Sequence, residues 1–119
     1  MCTEEVMKHL EDEERKPTDT DIVLFGIEAH VCVTQTCLDL LEQNYGVHVV
    51  CDAVSSQNPH DRAVALERMK SAGAYLTTAE QVAFQLLGSS KNSKFKAVSA
   101  LVKKRNREAK NSFSTMTTL

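Results

Sequence analysis

The sequence predicts an α/β chain, a parallel sheet of about three short strands with helices on its flanks. Two observations carry this prediction. Ile22–Phe25 and Val47–Cys51 are short runs rich in apolar and β-branched residues, the pattern of strands buried on both faces of a parallel sheet. Each is followed by a segment of helical period, and the strand–helix order occurs three times, which implies parallel strands joined by right-handed crossovers. The 119 residues contain no internal repeat, Gly-rich phosphate loop or dinucleotide fingerprint, so nucleotide binding has no sequence support.

Taken in order, residues 1–17 form a leading segment whose helix is expected over 3–15, with Thr3 as N-cap and Pro17 as its stop. Val6, Met7 and Leu10 give that helix a narrow apolar stripe. The first strand spans 22–26, with Gly26 at its end. A helix follows from about Val31 to Asn44, with Thr34, Leu38, Leu41 and Tyr45 on one side and Cys37 and Leu40 close by, and Gly46 is placed to end it in the left-handed conformation. Val47–Ala53 is the second strand, interrupted by His48 and Asp52. Asn58 and Pro59 are a helix start. That helix reaches Ser71, buries Ala63, Leu66 and Met69, and is closed by Gly73. Tyr75–Thr77 is a short third strand, and Thr78 with Gln81 can form a capping box for a helix over 79–87. After a polar loop, Phe95, Val98, Leu101 and Val102 mark one face of a last helix, and residues 107–119 are expected to be a flexible tail.

Composition bounds the function. The length allows one domain, and a full doubly wound sheet usually needs more. Ordinary apolar content and a formal charge of −2 argue for a globular chain. No apolar run approaches the roughly 18 residues of a membrane helix. The first twenty-one residues are rich in Glu and Asp, whereas Lys91–Lys110 is basic. That basic segment has one aromatic residue, Phe95, and no nucleic-acid motif, so a solvated helix face is the expectation and no nucleic-acid or membrane partner is predicted. Cysteines at 2, 32, 37 and 51 include no Cys-x-x-Cys pair, so no metal site is expected. Without a basic-then-apolar leader they read as free thiols in a reducing compartment, the cytoplasm.

Cys32 falls where a strand turns into a helix. Free backbone N–H groups and the positive helix end favour a thiolate there, although an unpaired cysteine is also often a small buried apolar residue. His48 reads as a mid-strand residue rather than a base. Asp52 lies at the carboxyl end of its strand, the side on which open α/β sheets place their sites, and is either a loop anchor or a site-lining residue.

The run Gly26–Thr36, Gly-Ile-Glu-Ala-His-Val-Cys-Val-Thr-Gln-Thr, resembles the nucleophile motif of the isochorismatase-like cysteine hydrolases. The similarity continues through Val47–Ala53, Asp61-Arg62 with Ala65–Arg68, Ala74–Glu80 and Lys94–Lys96. The resemblance implies a three-layer, Rossmann-like parallel sheet and hydrolysis of a small amide or vinyl-ether substrate through a covalent thioester, without a cofactor. Cys32 matches the nucleophile. A non-proline cis peptide maps to Ile27-Glu28, where it would aim the Glu28 and Cys32 amides at an oxyanion. The family's catalytic Asp and Lys precede the matched segment. Lys8, Lys16, Asp19 and Asp21 do not occupy their contexts, and His30 stands where many relatives have Asp. Residues 18–106 therefore look like the carboxyl-terminal half of such a domain, catalytically incomplete and with an open strand edge prone to self-association. The alternative is a non-catalytic interaction protein that uses the sheet edge or the basic helix.

Overall fold

The computed structural model describes residues 2–11 and 15–117. The chain divides into two compact units, one up to Ala79 and the other from Glu80.

In the first unit, strands β1 (Asp21–Ile27), β2 (Gly46–Ser55) and β3 (Tyr75–Thr77) form a parallel sheet in the order β1-β2-β3. Helix α1 (Glu4–Leu10) starts at Thr3, whose hydroxyl accepts the Val6 N–H at 3.3 Å. It is shorter than expected, and residues 12–14 lie outside the described residues. Met7 and Leu10 of α1 pack against the core, and Pro17–Asp19 makes a single 3-10 turn before β1.

Helix α2 (Thr34–Glu42) buries Thr34, Cys37 and Leu40. Its end differs from expectation: Asn44, at φ 67°, takes the left-handed position. The Tyr45 N–H then reaches the Leu40 carbonyl at 3.1 Å and the Asn44 N–H the Leu41 carbonyl at 3.0 Å, a Schellman closure. Gly46 instead opens β2, and its lack of a side chain has another cause. A Cβ there would run into the Asp21 carboxylate across the ladder.

Helix α3 (Pro59–Ser71) begins as predicted, with the Asn58 side chain accepting the His60 N–H at 3.0 Å. Gly73, at φ 116°, closes it, and the Ala74 N–H reaches the Met69 carbonyl at 3.0 Å. The inward face is Ala65 and Met69 with Leu66 half-buried, while Ala63 is exposed. Stepping back one turn from Ala65 and Leu66 reaches Arg62. A charged residue therefore completes the stripe that a purely apolar reading shifts to Ala63.

The core joins Ala29, Val33, Cys37 and Leu40 to Val47, Val49 and Val54 of β2 and to Ala65 and Met69 of α3. Strand β1 departs from the expectation of burial on both faces. Ile22 and Leu24 pack on the core, but the alternate residues Val23, Phe25 and Ile27 are exposed.

In the second unit, α4 (Ala79–Leu87) and α5 (Phe95–Thr117) are joined by a loop in which Asn92 accepts the Lys94 N–H at 2.9 Å and donates to the Leu87 carbonyl at 3.1 Å. The Phe84 and Phe95 rings meet at 5.6 Å. Helix α5 runs to Thr117, past residue 107 where a flexible tail was expected. Among the described residues no helix is long and apolar enough to cross a membrane.

Met69 is fully buried, whereas Val64, on the same helix, is 54% exposed. Met69→Ala should cost about 2–5 kcal/mol of stability through lost contacts and a residual cavity. Val64→Ala should stay within about 0.5 kcal/mol. Urea unfolding midpoints at matched protein concentration check both.

Candidate active site

The turn that carries Cys32 is built from its buried neighbours. After β1 the chain makes a π-helical turn, Ala29–Val33, before α2 begins. Ala29 and Val33 are buried in the core and fix the two ends of the turn. The Thr34 hydroxyl donates to the Ala29 carbonyl at 2.6 Å, and the Glu28 carbonyl accepts the Val31 and Val33 N–H groups at 3.1 and 3.2 Å. With both ends held inward, Cys32 projects outward and is exposed. The Ile27-Glu28 peptide immediately before the turn is cis.

A second layer of contacts ties this turn to the segment between β2 and α3. The Glu28 carboxylate accepts the Gln57 N–H at 2.9 Å. His30 Nδ1 lies 2.8 Å from the Ser56 hydroxyl and 3.8 Å from the Glu28 carboxylate, and His30 Nε2 lies 3.9 Å from the Asp61 carboxylate. His30 is therefore a hinge pin between two loops and is flanked by two acids. In the sequence it is marked only by standing where many relatives have Asp. Ser56, Gln57 and Asp61 were not singled out for the site, because nothing in their local spacing announces a partner 26 to 31 residues away.

The same region explains Asp52 and Arg62. The β1–β2 register shifts after Leu24: Leu24 faces Val49, but Gly26 faces Val54. Residues of β2 between those pairs have no partner on β1, and Arg62 of α3 bridges the break, donating Nε to the Val54 carbonyl at 3.1 Å and a terminal nitrogen to the Cys51 carbonyl. Asp52 in turn accepts the Ala79 N–H at 2.9 Å. That bond is of the kind a loop anchor makes. Ile27, Glu28 and Cys32 are thus brought into one corner, and Asp52 lies on the neighbouring strand with its carboxylate engaged.

His48 belongs elsewhere. It sits at the amino end of β2, stacked on Tyr75 with centroids 5.0 Å apart and 3.5 Å from the Asp21 carboxylate. A cavity lined by Cys2, Met7, Glu11, Asp39, Glu42 and Gln43 lies against α1 and α2 and includes none of the residues around Cys32. Among the described residues no group of three metal-ligating side chains converges.

The four thiols are free and differ in environment. Burial pushes Cys37 up to about 11. Burial also raises Cys2, with the Asp39 carboxylate adding to the effect. Cys2 is half-buried, and its N–H donates to Asp39 at 3.1 Å. Iodoacetamide at neutral pH should alkylate Cys32 first and Cys37 last, read by peptide mapping. Cys37 also carries a pH signature. Its folded pKa lies above the ordinary value of 9.0, so the folded state holds the proton more tightly. The resulting stability is full below about pH 9 and is lost as pH rises towards about 11. Cys37→Ala should flatten the fall in unfolding midpoint over that window.

The isochorismatase domain matches residues 5–81. The secreted isochorismatase effector Isc1 of Phytophthora sojae is 46% identical over 115 residues, 97% of this chain and 53% of its own. Among solved structures, the MAR1 ribonuclease from Caenorhabditis elegans superposes with a TM-score of 0.75 at 45% identity, over 86% of this chain and 50% of that one. The YcaC gene product of Escherichia coli, an octameric hydrolase of unknown specificity, superposes with a TM-score of 0.73 at 28% identity, over 95% of this chain and 54% of that one. The chain spans about half the length of the relatives it matches. The match over residues 5–81 and the shared parallel-sheet fold establish that this chain belongs to the isochorismatase family.

Proposed function

We propose that this chain is the nucleophile-bearing half of an isochorismatase-family cysteine hydrolase acting on a small amide or vinyl-ether substrate. The observation that carries the reading is the placement of Cys32. It is the one exposed thiol of the four, just beyond the carboxyl end of β1, in a turn whose neighbours are locked into the core. In this reading the Cys32 sulfur attacks the carbon centre, and the Glu28 and Cys32 amides receive the developing negative charge. A free thiol nucleophile suits a reducing compartment such as the cytoplasm.

The half-site lacks the Asp and Lys that the family resemblance implies. Asp21 opens β1 and Cys32 follows its far end, a separation of about 20 Å at roughly 3.3 Å per strand residue. Lys8 lies on α1, and Lys16 and Asp19 lie at the 3-10 turn that enters the strand from its amino end. General acid–base catalysis is worth roughly 10²–10⁴-fold, and attack on an amide also needs a proton delivered to the leaving group. The lone chain is accordingly inactive and self-associates through its uncovered strand. A non-catalytic binding role is the second reading, favoured by the exposure of Phe25 and Ile27.

Purified alone, the chain should show no turnover of nicotinamide or isochorismate that Cys32→Ala removes. Rates for the wild type and the variant should coincide. A Cys32-dependent rate from the lone chain would overturn the half-site reading.

A further inference from the structure

We infer that His30 is a positioning residue for the Cys32 turn, and that its imidazolium form holds the turn by bridging the Glu28 and Asp61 carboxylates. Nδ1 lies 2.8 Å from the Ser56 hydroxyl and 3.8 Å from the Glu28 carboxylate, and Nε2 lies 3.9 Å from the Asp61 carboxylate. At such separations the two carboxylate contacts are ion pairs rather than hydrogen bonds, so the charge on the ring decides what they contribute. A neutral imidazole carries one N–H and one bare lone pair. With its proton on Nε2 it suits Asp61 but leaves the Nδ1 lone pair on the side of Glu28. With its proton on Nδ1 it leaves the Nε2 lone pair on the side of Asp61. Only the imidazolium gains from both acids. The Ser56 hydroxyl fits either state, because it donates to a bare Nδ1 and accepts from a protonated one.

The bridge joins two elements. Glu28 and His30 belong to the turn that carries Cys32, whereas Ser56 precedes α3 and Asp61 lies in its first turn. The other charged groups at this corner are turned elsewhere. Arg62 is directed to the Val54 and Cys51 carbonyls, and Asp52 to the Ala79 N–H. His60, the residue before Asp61, is exposed. Imidazoles ordinarily titrate between about pH 5 and 8, carboxylates below that window and thiols above it. The bridge is therefore present at the acid end of the window and is lost as pH rises through it. That proton sets how firmly the turn is tied to the β2–α3 segment, and with it how firmly the thiol is presented. The consequence for the thiol rests on Cys32 as the reactive group, whereas the bridge rests on the contacts alone.

The test is amide hydrogen exchange in the whole chain by NMR, at about pH 5.5 and about pH 8, with each rate referred to the amide's intrinsic rate at that pH. The Val31 and Val33 amides, bonded to the Glu28 carbonyl, and the Gln57 amide, bonded to the Glu28 carboxylate, report the two sides of the bridge. Their protection should be about three- to tenfold greater at the lower pH, the size expected of two partly exposed ion pairs. The Val49 amide, in a strand position that is fully buried, should not share the step. His30→Asn should remove the step, and Asp61→Asn, which leaves the Ser56 contact in place, should at least halve it. His60→Asn should leave it whole. Circular dichroism verifies that each variant is folded, and if His30→Asn does not fold, Asp61→Asn decides. No step in the wild type, a step of opposite sign, one shared by Val49, or one that Asp61→Asn leaves unchanged overturns the proposal. Turnover is not the readout, so a missing step leaves the placement of Cys32 standing, and Cys32-dependent turnover by the lone chain defeats the half-site reading without touching the bridge.

Discussion

The break in register between β1 and β2 is the constraint on which the candidate site depends. Between Leu24 and Gly26 the first strand advances two residues, while its partner advances five, from Val49 to Val54. The extra residues have no partner on β1 beside the corner where the site lies, and buried backbone carbonyls cannot be left without donors. Arg62 reaches in from α3 to supply them at Cys51 and Val54. Its guanidinium is a fixed fork of donors, so one side chain can serve both carbonyls across the break. Removing it would cost more than a lost surface charge.

With that stretch unpaired on β1, its side chains are free to reach other elements. Asp52 turns its carboxylate to the Ala79 N–H and so ties the end of β2 to the segment after β3. The chain beyond Ser55 then runs across the end of β1, where Ser56 meets His30 and the Gln57 N–H meets Glu28. The turn that presents Cys32 is consequently braced from two directions. Ala29 and Val33 anchor it from the core side, and the β2–α3 segment holds its polar side. Neither set alone would fix a five-residue π-helical turn, a form that is rarely stable by itself.

Much of the frame was legible because its signals are local. Asn58-Pro59, Gly73 and the three strands lie where the sequence places them, since caps, turn residues and apolar runs act over a few positions. The misplacements also have physical reasons. Asn and Gly can both take a left-handed position, so Asn44 displaced Gly46 as the end of α2, and Gly46 was kept for its closeness to Asp21. Arg62 was passed over because charge masked an inward position. The Cys32 corner was found through its motif, but the His30, Ser56, Asp61 and Gln57 contacts were not, since they join residues from separate elements. Helix α5 outran its expected end because polar helix formers such as Lys, Arg and Glu carry no apolar period to count.

The first strand is where sequence and structure disagree most. Ile-Val-Leu-Phe is the composition of a strand covered on both faces, and period-two alternation is absent from it. The structure nevertheless imposes the alternation, with Ile22 and Leu24 inward and Val23 and Phe25 outward. A strand whose outer face met water in its working state would be expected to carry Thr, Ser or Lys at those outer positions, as half-solvated strands do. Its outer positions instead carry Val23, Phe25 and Ile27. The Cys32 turn leads directly off that strand, so the seating of β1 sets where the thiol is presented. Packing and the placement of the thiol at this end of the molecule therefore share one support, because Ile22 and Leu24 of the strand pack on the same core that holds Ala29 and Val33 of the turn.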